Sequence, residues 1–368
     1  MVSGKAFDKK QQGVALVTVL IIFSVLTILA VHILTQQNLH NRRSANIINS
    51  SKAYQYMIGA EEFGRSLLKQ YFEQSKDKRV HRNQPWAQAP MTFPIEQNQG
   101  QLEGSIRDMH SCFNLNSIIM QAPAGTGRNG DTDGDGDNGN NLSDRNQLTE
   151  ELGGDKGNDT RVEAEFGEKI SGEKLFAKLI EPLLGNSETS PEALATALRD
   201  WIDDDTEPTG VDGAEDYTYT GLTIPYRTGN TLLAHSSELM VIKGFTSDIY
   251  DSIKDYICVL PSKEGTINVN TVKPEQAELV WILLEDVELS QVQQALQELP
   301  EDGYDESSFF EAIGGGKVSK DGRGRLAFDS KYLQMTATAV VQTGKAQMQS
   351  LFYKNNNEFK VVARHVGD

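Results

Sequence analysis

Two cysteines and six histidines are all that the 368 residues supply of the commonest soft metal ligands. The histidines (His32, His40, His81, His110, His235 and His365) are scattered, so no Cys/His set with zinc spacing can be drawn. A nucleophile elbow, a phosphate loop and an H-E-x-x-H helix are also missing. Carboxylates are plentiful, but they cluster with glycines, which suits cation ligands better than a tuned acid and base. These absences point away from an enzyme. Positive charge is scarce too, with 35 Lys and Arg against 52 Asp and Glu. Between Asp131 and Asp216 stand 24 acidic and 7 basic residues, a difference equal to the whole net charge of −17. Such a segment repels nucleic acid and attracts cations.

Long apolar runs are absent except for one. Val14–Leu34 holds no Asp, Glu, Lys or Arg, and its polar residues are Thr18, Ser24, Thr27 and His32. As a helix rising about 1.5 Å per residue, its 21 residues match a hydrocarbon core of roughly 30 Å. Lys5, Lys9 and Lys10 precede it, which places the leader in the cytoplasm and the remainder outside. An ordinary secretory signal has a shorter core and then a small-x-small site, and no convincing site follows Leu34. Beyond the run, Ala53, Met57, Ala60, Phe63, Leu67, Leu68 and Tyr71 recur at three- and four-residue steps. One helix from Val14 to about Phe72 is expected, half in the membrane and half docked on a head. Outside the cytoplasm thiols oxidise, so Cys112 and Cys258 are expected to pair across the acidic segment.

The leader ending QQG, followed by VALVTVLIIFSVLTILA, resembles the prepilin leader of type IV pilins and type II secretion pseudopilins. That resemblance implies cleavage between Gly13 and Val14 by a prepilin peptidase, with Val14 as the N-methylated mature terminus. Most pilins carry Glu at the fifth mature residue, where it neutralises a neighbour's terminal amine. Thr18 stands there in this chain. A subunit lacking that carboxylate fits a filament tip, because an unpaired buried amine elsewhere is costly.

Downstream, CFNLNSI at Cys112–Ile118 and GTINVNT at Gly265–Thr271 share an alternating apolar–Asn pattern. Phe176–Leu184 and Pro191–Ile202 read as helices, the second with Ser190 as N-cap. Tyr332–Val341, Gln347–Tyr353 and Phe359–His365 read as an antiparallel meander. The fold class expected is α+β: a long N-terminal helix on an antiparallel-sheet head, with a large, mostly helical insertion. The divisions are leader 1–13, membrane helix 14–34, amphipathic continuation 35–75, first part of the head 76–117, inserted acidic domain 118–262 and remaining head 263–368. With FNLN, DWIDDDTEPTGVDGAEDYTY (Asp200–Tyr219), PYR (Pro225–Arg227), SELMVIKGF (Ser237–Phe245) and INVNT, the chain resembles the minor pseudopilin K of type II secretion.

That resemblance implies an inner-membrane, single-pass subunit with a periplasmic head. It would initiate or cap the pseudopilus and support protein export across the outer membrane. Implied partners are the I and J subunits, the H subunit as a further candidate, the secretion platform, and secreted proteins or the outer-membrane channel as candidate contacts. Another type IV minor pilin is the nearest alternative. A second alternative starts from Glu238–Ile257 and Ile267–Leu284, which resemble helix-hairpin-helix DNA-binding units. The turn Leu284–Glu288 carries three acids and no Gly, which opposes phosphate, so no nucleic-acid partner is expected.

Two acidic clusters are candidate metal sites. Asp131, Asp133, Asp135 and Asp137 with Gly136 match the first half of an EF-hand loop, but position twelve is Leu142. The second comprises Asp203, Asp204, Asp205, Glu207, Asp212, Glu215 and Asp216. Each reads either as a Ca²⁺ site or as a solvated acidic loop. Resemblance to the K subunit, whose head binds calcium, implies a structural Ca²⁺.

Overall fold

The structure is a computed structural model that describes residues 11–75, 78–95, 100–120, 171–185 and 189–367. The chain starts as one 64-residue helix, α1 (Gln11–Gln74). Every residue from Val14 to Ile48 is exposed, and among the described residues this half of α1 packs on no other element, apart from a hydrogen bond from Thr343 Oγ1 to Asn46 Oδ1 near its end. Its polar side chains bond inward along the helix: Thr18 Oγ1 donates to Ala15 O, Ser24 Oγ to Ile21 O and Thr27 Oγ1 to Phe23 O. An apolar surface with its hydroxyls satisfied in this way is long and apolar enough to cross a membrane.

The second half of α1 is amphipathic in fact as well as in pattern. Ala53, Met57, Ala60, Leu68 and Phe72 are buried against a five-stranded sheet. Phe63, expected on this face, is instead 49% exposed. The adjacent Gly64 takes the inward position, where an added Cβ would lie 2.5 Å from Met335 Sδ. Gly64 leaves the space between helix and sheet to the Met335 side chain.

The sheet consists of β1 (Met91–Ile95), β2 (Gly100–Asp108), β3 (Tyr332–Val341), β4 (Gly344–Asn355) and β5 (Glu358–Gly367). Its spatial order is the chain order, and every neighbouring pair is antiparallel. β3 alternates half-buried and buried residues along its whole length, the period-2 signature of a strand with one face on a core. β1 lies in the polar, proline-containing stretch that gave no strand signal. Its Pro94 is tolerated because β1 is an edge strand.

Between β2 and β3 the chain leaves the sheet at Asp108 and returns at Tyr332, although Asp108 and Leu333 are direct partners across the ladder. The diverted residues build a second core that includes Phe113, Leu115, Phe176, Leu198, Trp201, Ile253, Val269, Leu283, Leu296 and Phe309. Helix α2 (Ser171–Ile180) and helix α3 (Pro191–Ile202) pack together within it. Ser190 caps α3, accepting a hydrogen bond from Ala193 N at 3.1 Å, with Pro191 at the first helical position.

The two N-x-N motifs perform the same task twice. In each, the first Asn accepts from the backbone N–H of the second: Asn116 N to Asn114 Oδ1 at 3.2 Å and Asn270 N to Asn268 Oδ1 at 3.0 Å. The second Asn then grips a distant backbone by both its N–H and C=O, Leu233 for Asn116 and Tyr304 for Asn270. Each motif also opens a short parallel ladder, Phe113–Asn114 with Ile257–Cys258 and Ile267–Asn268 with Leu326–Ala327. All four asparagines are almost fully buried, so their amides must be satisfied within the protein. The repeated pattern in the sequence is thus a repeated bracket in the fold.

Cys112 and Cys258 form the expected disulfide across 146 residues of sequence. It sits in a small apolar cluster with Met109, Leu260 and Leu351, where the second body meets the sheet.

One buried charge fastens α1 to the far side of the sheet. Glu61, 1% exposed, accepts from Ser350 Oγ on β4 and takes both Arg364 Nε and Nη2 of β5, each at 2.7 Å. Burial alone raises a carboxyl's pKa, but the hydrogen bonds from Arg364 and Ser350 outweigh it and hold Glu61 below its ordinary value of 4.5. A depressed carboxylate stabilises the fold above its unfolded pKa, and that contribution is lost as pH falls through the folded value. Glu61→Gln is therefore expected to lower the unfolding temperature by roughly a few degrees at neutral pH. In thermal unfolding followed by circular dichroism, the gap to the native chain should close below about pH 4. A gap that stays constant down to acid pH contradicts the ion-pair account.

Candidate functional site

The acidic stretch after α3 is organised by a residue that precedes it. Asp200, in the last turn of α3, has no solvent exposure. Its carboxylate accepts from the backbone N–H of Thr209 and, at 2.8 Å, of Ala214, pulling residues 209–214 back onto the helix end. Gly210 enters this turn at φ +63°, a left-handed conformation that favours glycine. Gly213 lies where an added Cβ would meet Thr209 N at 2.5 Å and Asp200 Oδ2 at 2.7 Å.

That fold-back delivers Glu215, 1% exposed, beside Asp203 at the C-cap of α3. Oxygens of Asp200, Asp203 and Glu215 all lie within 4.8 Å of one another. Three carboxylates meet at a helix C-terminus, where the backbone dipole is itself negative. Asp203 Oδ1 and Glu215 Oε1 are buried and have no hydrogen-bond partner among the described residues. Desolvation, then the neighbouring Asp205 and Asp200, push the Asp203 carboxyl up to about 6. Desolvation, then Asp200 and Asp203, push Glu215 up to about 7. Arg199 offers one counter-charge, at 3.6 Å from Asp203 Oδ2, and it is shared with Glu173. Chemically, three converging carboxylates are a hard-oxygen group that could hold a cation.

Of the residues singled out in the sequence, Asp203 and Glu215 are brought together here. Asp204, Asp205, Glu207 and Asp212 are exposed. Asp205 turns its carboxylate to the Glu207 N–H at 2.9 Å, closing the loop. Asp216 is half-buried, accepting from Thr228 N and Oγ1 and pairing with Arg227 at 3.3 Å. Asp131, Asp133, Asp135 and Asp137 lie outside the described residues. Asp200 escaped notice because it reads as one more polar position of a helix. The available signal was its i, i+3 spacing from Asp203, on the face that carries Ala197 and Trp201 into the core.

Aromatic packing supports the loop from below. Trp201, Tyr219 and Tyr226 meet with ring centroids 5.2–6.2 Å apart, and Lys243 N donates to Tyr219 Oη. That last bond uses a backbone N–H of the Lys243–Gly244 turn, the one the sequence compared with a phosphate-binding hairpin. Gly244 faces Leu194 and Thr189, within the protein. At the other hairpin turn, Glu285 and Asp286 share Lys317 at 3.4 Å each.

Gly13 and Val14 lie in the first turn of α1. Thr18 follows one turn later on the exposed apolar half.

Gly213→Ala places a methyl group against backbone and against the Asp200 carboxylate, so the turn must open. A loss of about 1–3 kcal/mol in urea unfolding is expected. Gly210→Ala should cost roughly 1 kcal/mol through its φ. Unchanged stability in both variants contradicts a turn held by Asp200.

The family model for type II secretion system protein K matches residues 111–262, the span from the first N-x-N motif to just past Cys258. Similarity to individual proteins extends further. Type II secretion system protein K of Aeromonas hydrophila is 29% identical over 361 residues, covering 97% of both chains. That of Klebsiella pneumoniae is 28% identical, covering 98% of both. In structure, the fold is similar to a chain in the crystal structure of the GspK–GspI–GspJ complex from the enterotoxigenic Escherichia coli type 2 secretion system. The TM-score is 0.66 at 23% identity, covering 89% of this chain and 99% of that one. With the leader, the apolar helix and the paired N-x-N brackets, the chain is thus similar to type II secretion system protein K over nearly its whole length.

Proposed function

We propose that the chain is the tip subunit of a type II secretion pseudopilus, anchored in the inner membrane with its head in the periplasm. After cleavage between Gly13 and Val14, the apolar half of α1 packs with the corresponding helices of I- and J-type subunits. The observation that carries the reading is the combination of an exposed apolar helix with a pilin-like head whose sheet is interrupted by a bulky second body. Such bulk on the head obstructs addition of a further subunit above it. Thr18 agrees with that position, since its hydroxyl is satisfied by Ala15 O and asks for no partner's amine. The role is one of assembly, with no catalytic step, and export of folded proteins depends on the filament it starts.

Co-expression with I- and J-type subunits tests this directly. A stable complex containing one copy of each is expected, and Thr18→Glu should still enter it. A chain that polymerises with itself, or that ignores both subunits, contradicts the tip reading.

Within this role we assign Asp200, Asp203 and Glu215 to a structural calcium ion. Bound there, the ion would neutralise the converging carboxylates and hold the Thr209–Ala214 turn against α3. Calcium suits an all-oxygen donor set on a loop better than zinc does. Calcium titration of the full chain in detergent micelles should raise the unfolding temperature. The gain should approach about 2.7 kcal/mol at a hundredfold excess over Kd. Asp203→Asn with Glu215→Gln should remove that gain. If the native chain gains nothing, the acids are a solvated loop, and the tip reading rests on the rest of the molecule.

A further inference from the structure

A cleft of about 880 Å³ opens where the sheet meets the second body, and no residue of the carboxylate nest lines it. Among the residues around it are Arg82, Trp86, Arg107, Asp255, Lys273 and Glu275. Neither the anchoring helix nor the assembly role makes use of it.

The floor of the cleft is an unfinished sheet edge. β1 pairs with β2 only from Gly100 to Gly104, so Ser105–Asp108 have no strand on that side among the described residues. At about 3.3 Å per residue this leaves roughly 13 Å of open strand. The ladder to β3 decides which groups are free. Met109 N donates to Tyr332 O, so the residues bonded to β3 alternate back from 109 through 107 and 105. Ile106 therefore turns its N–H and C=O toward the open side. The Asp108 C=O is already taken by Ser111 Oγ. Ile106 packs its side chain into the core beneath α1, so Arg107 projects from the opposite face of the sheet.

The polar groups around this edge are unevenly satisfied. Arg82 donates to Val272 O and Leu296 O, and the Asp108 carboxylate is consumed by Asn268, Thr271 and Ser330. Arg107 and Lys273 make no hydrogen bond or ion pair among the described residues. The cleft walls around Arg107 disfavour its charge and lower its pKa, with Asp108 and then Asp255 opposing this from longer range. Trp86, 3% exposed, has a buried indole N–H without a partner among the described residues. An exposed guanidinium without a hydrogen bond or ion pair among the described residues, next to an unpaired strand edge, suits an anion carried on a strand.

We propose that this cleft binds an extended peptide segment, which continues the line of β1 as a short strand along Ile106 and carries an acidic side chain to Arg107. Main-chain pairing with Ile106 supplies register, and the guanidinium selects the carboxylate as a cross-strand neighbour. Asp255 and Glu275 stand on the facing wall, off the β2 strand, and repel a second acidic residue placed there. The proposal is independent of the tip position and of calcium.

The test uses the full chain in detergent micelles and the probe acetyl-Thr-Val-Glu-Val-Thr-amide. Its titration is followed by tryptophan fluorescence, with Trp86→Phe identifying the signal from the cleft, and by calorimetry. Saturable binding is expected. It should weaken about tenfold when the probe's Glu is replaced by Lys, and by a similar factor in Arg107→Ala. A probe N-methylated at alternate amides should not bind. Arg107→Ala should melt at the native temperature, since Arg107 bonds to nothing in the fold. No saturable binding up to millimolar probe overturns the proposal. Binding that ignores both Arg107 and the probe's charge, or that survives N-methylation, overturns it as well.

Discussion

The architecture depends on closing a neck. β2 and β3 are adjacent strands, about 4.8 Å apart, yet the chain between Asp108 and Tyr332 builds an entire second core before it returns. The exit and return must therefore be held within one strand spacing. Asp108 does this with one buried carboxylate: Oδ2 accepts from Ser330, Thr271 and Asn268, and Oδ1 from the His110 N–H. Residues from the exit, the second bracket and the return thus converge on a single side chain. In a low-dielectric interior, removing it would take an acceptor from four donors at once. The Cys112–Cys258 bridge adds a covalent limit beside it. In the chain-entropy account, a loop of this length contributes about 5 kcal/mol by restricting the unfolded chain.

From that neck the two bodies diverge in character. The head is a helix on a sheet, sealed by close approach at Gly64 and pinned at its far edge by Glu61 and Arg364. The second body has only two-stranded ladders among its described residues and is organised by side chains, with two asparagine pairs reaching across the sequence to hold backbones that short helices alone cannot position. The carboxylate nest hangs on the first of these halves and has no counterpart in the second, where Leu296 and Tyr304 are joined by a short turn. Its raised carboxyl pKa values reflect burial first and then the mutual repulsion of its carboxylates.

An exposed membrane-length helix at one end and an incomplete strand edge at the other give the molecule two kinds of unsatisfied surface. One is apolar and suits lipid or other helices; the other is polar and directional.

Much of this was legible in the residues themselves. The length of the apolar run, the continuation of its helix, the Ser190–Pro191 start and the three C-terminal strands follow from local pattern, because periodicity and caps act over a few residues, while the pairing of the cysteines follows from their number and the expected oxidising compartment. The recurrence of N-x-N was visible as well, but not that each motif is a bracket, since its distant partners lie 34 to 188 residues away. Three features were decided by tertiary structure alone. β1 exists because β2 offers it an edge, despite prolines that disfavour a strand. Asp200 joins the acidic site because α3 buries the face that carries it. The open stretch of β2 is set by where β1 happens to stop. Each depends on contacts between distant segments, and such contacts leave no period in the sequence to read.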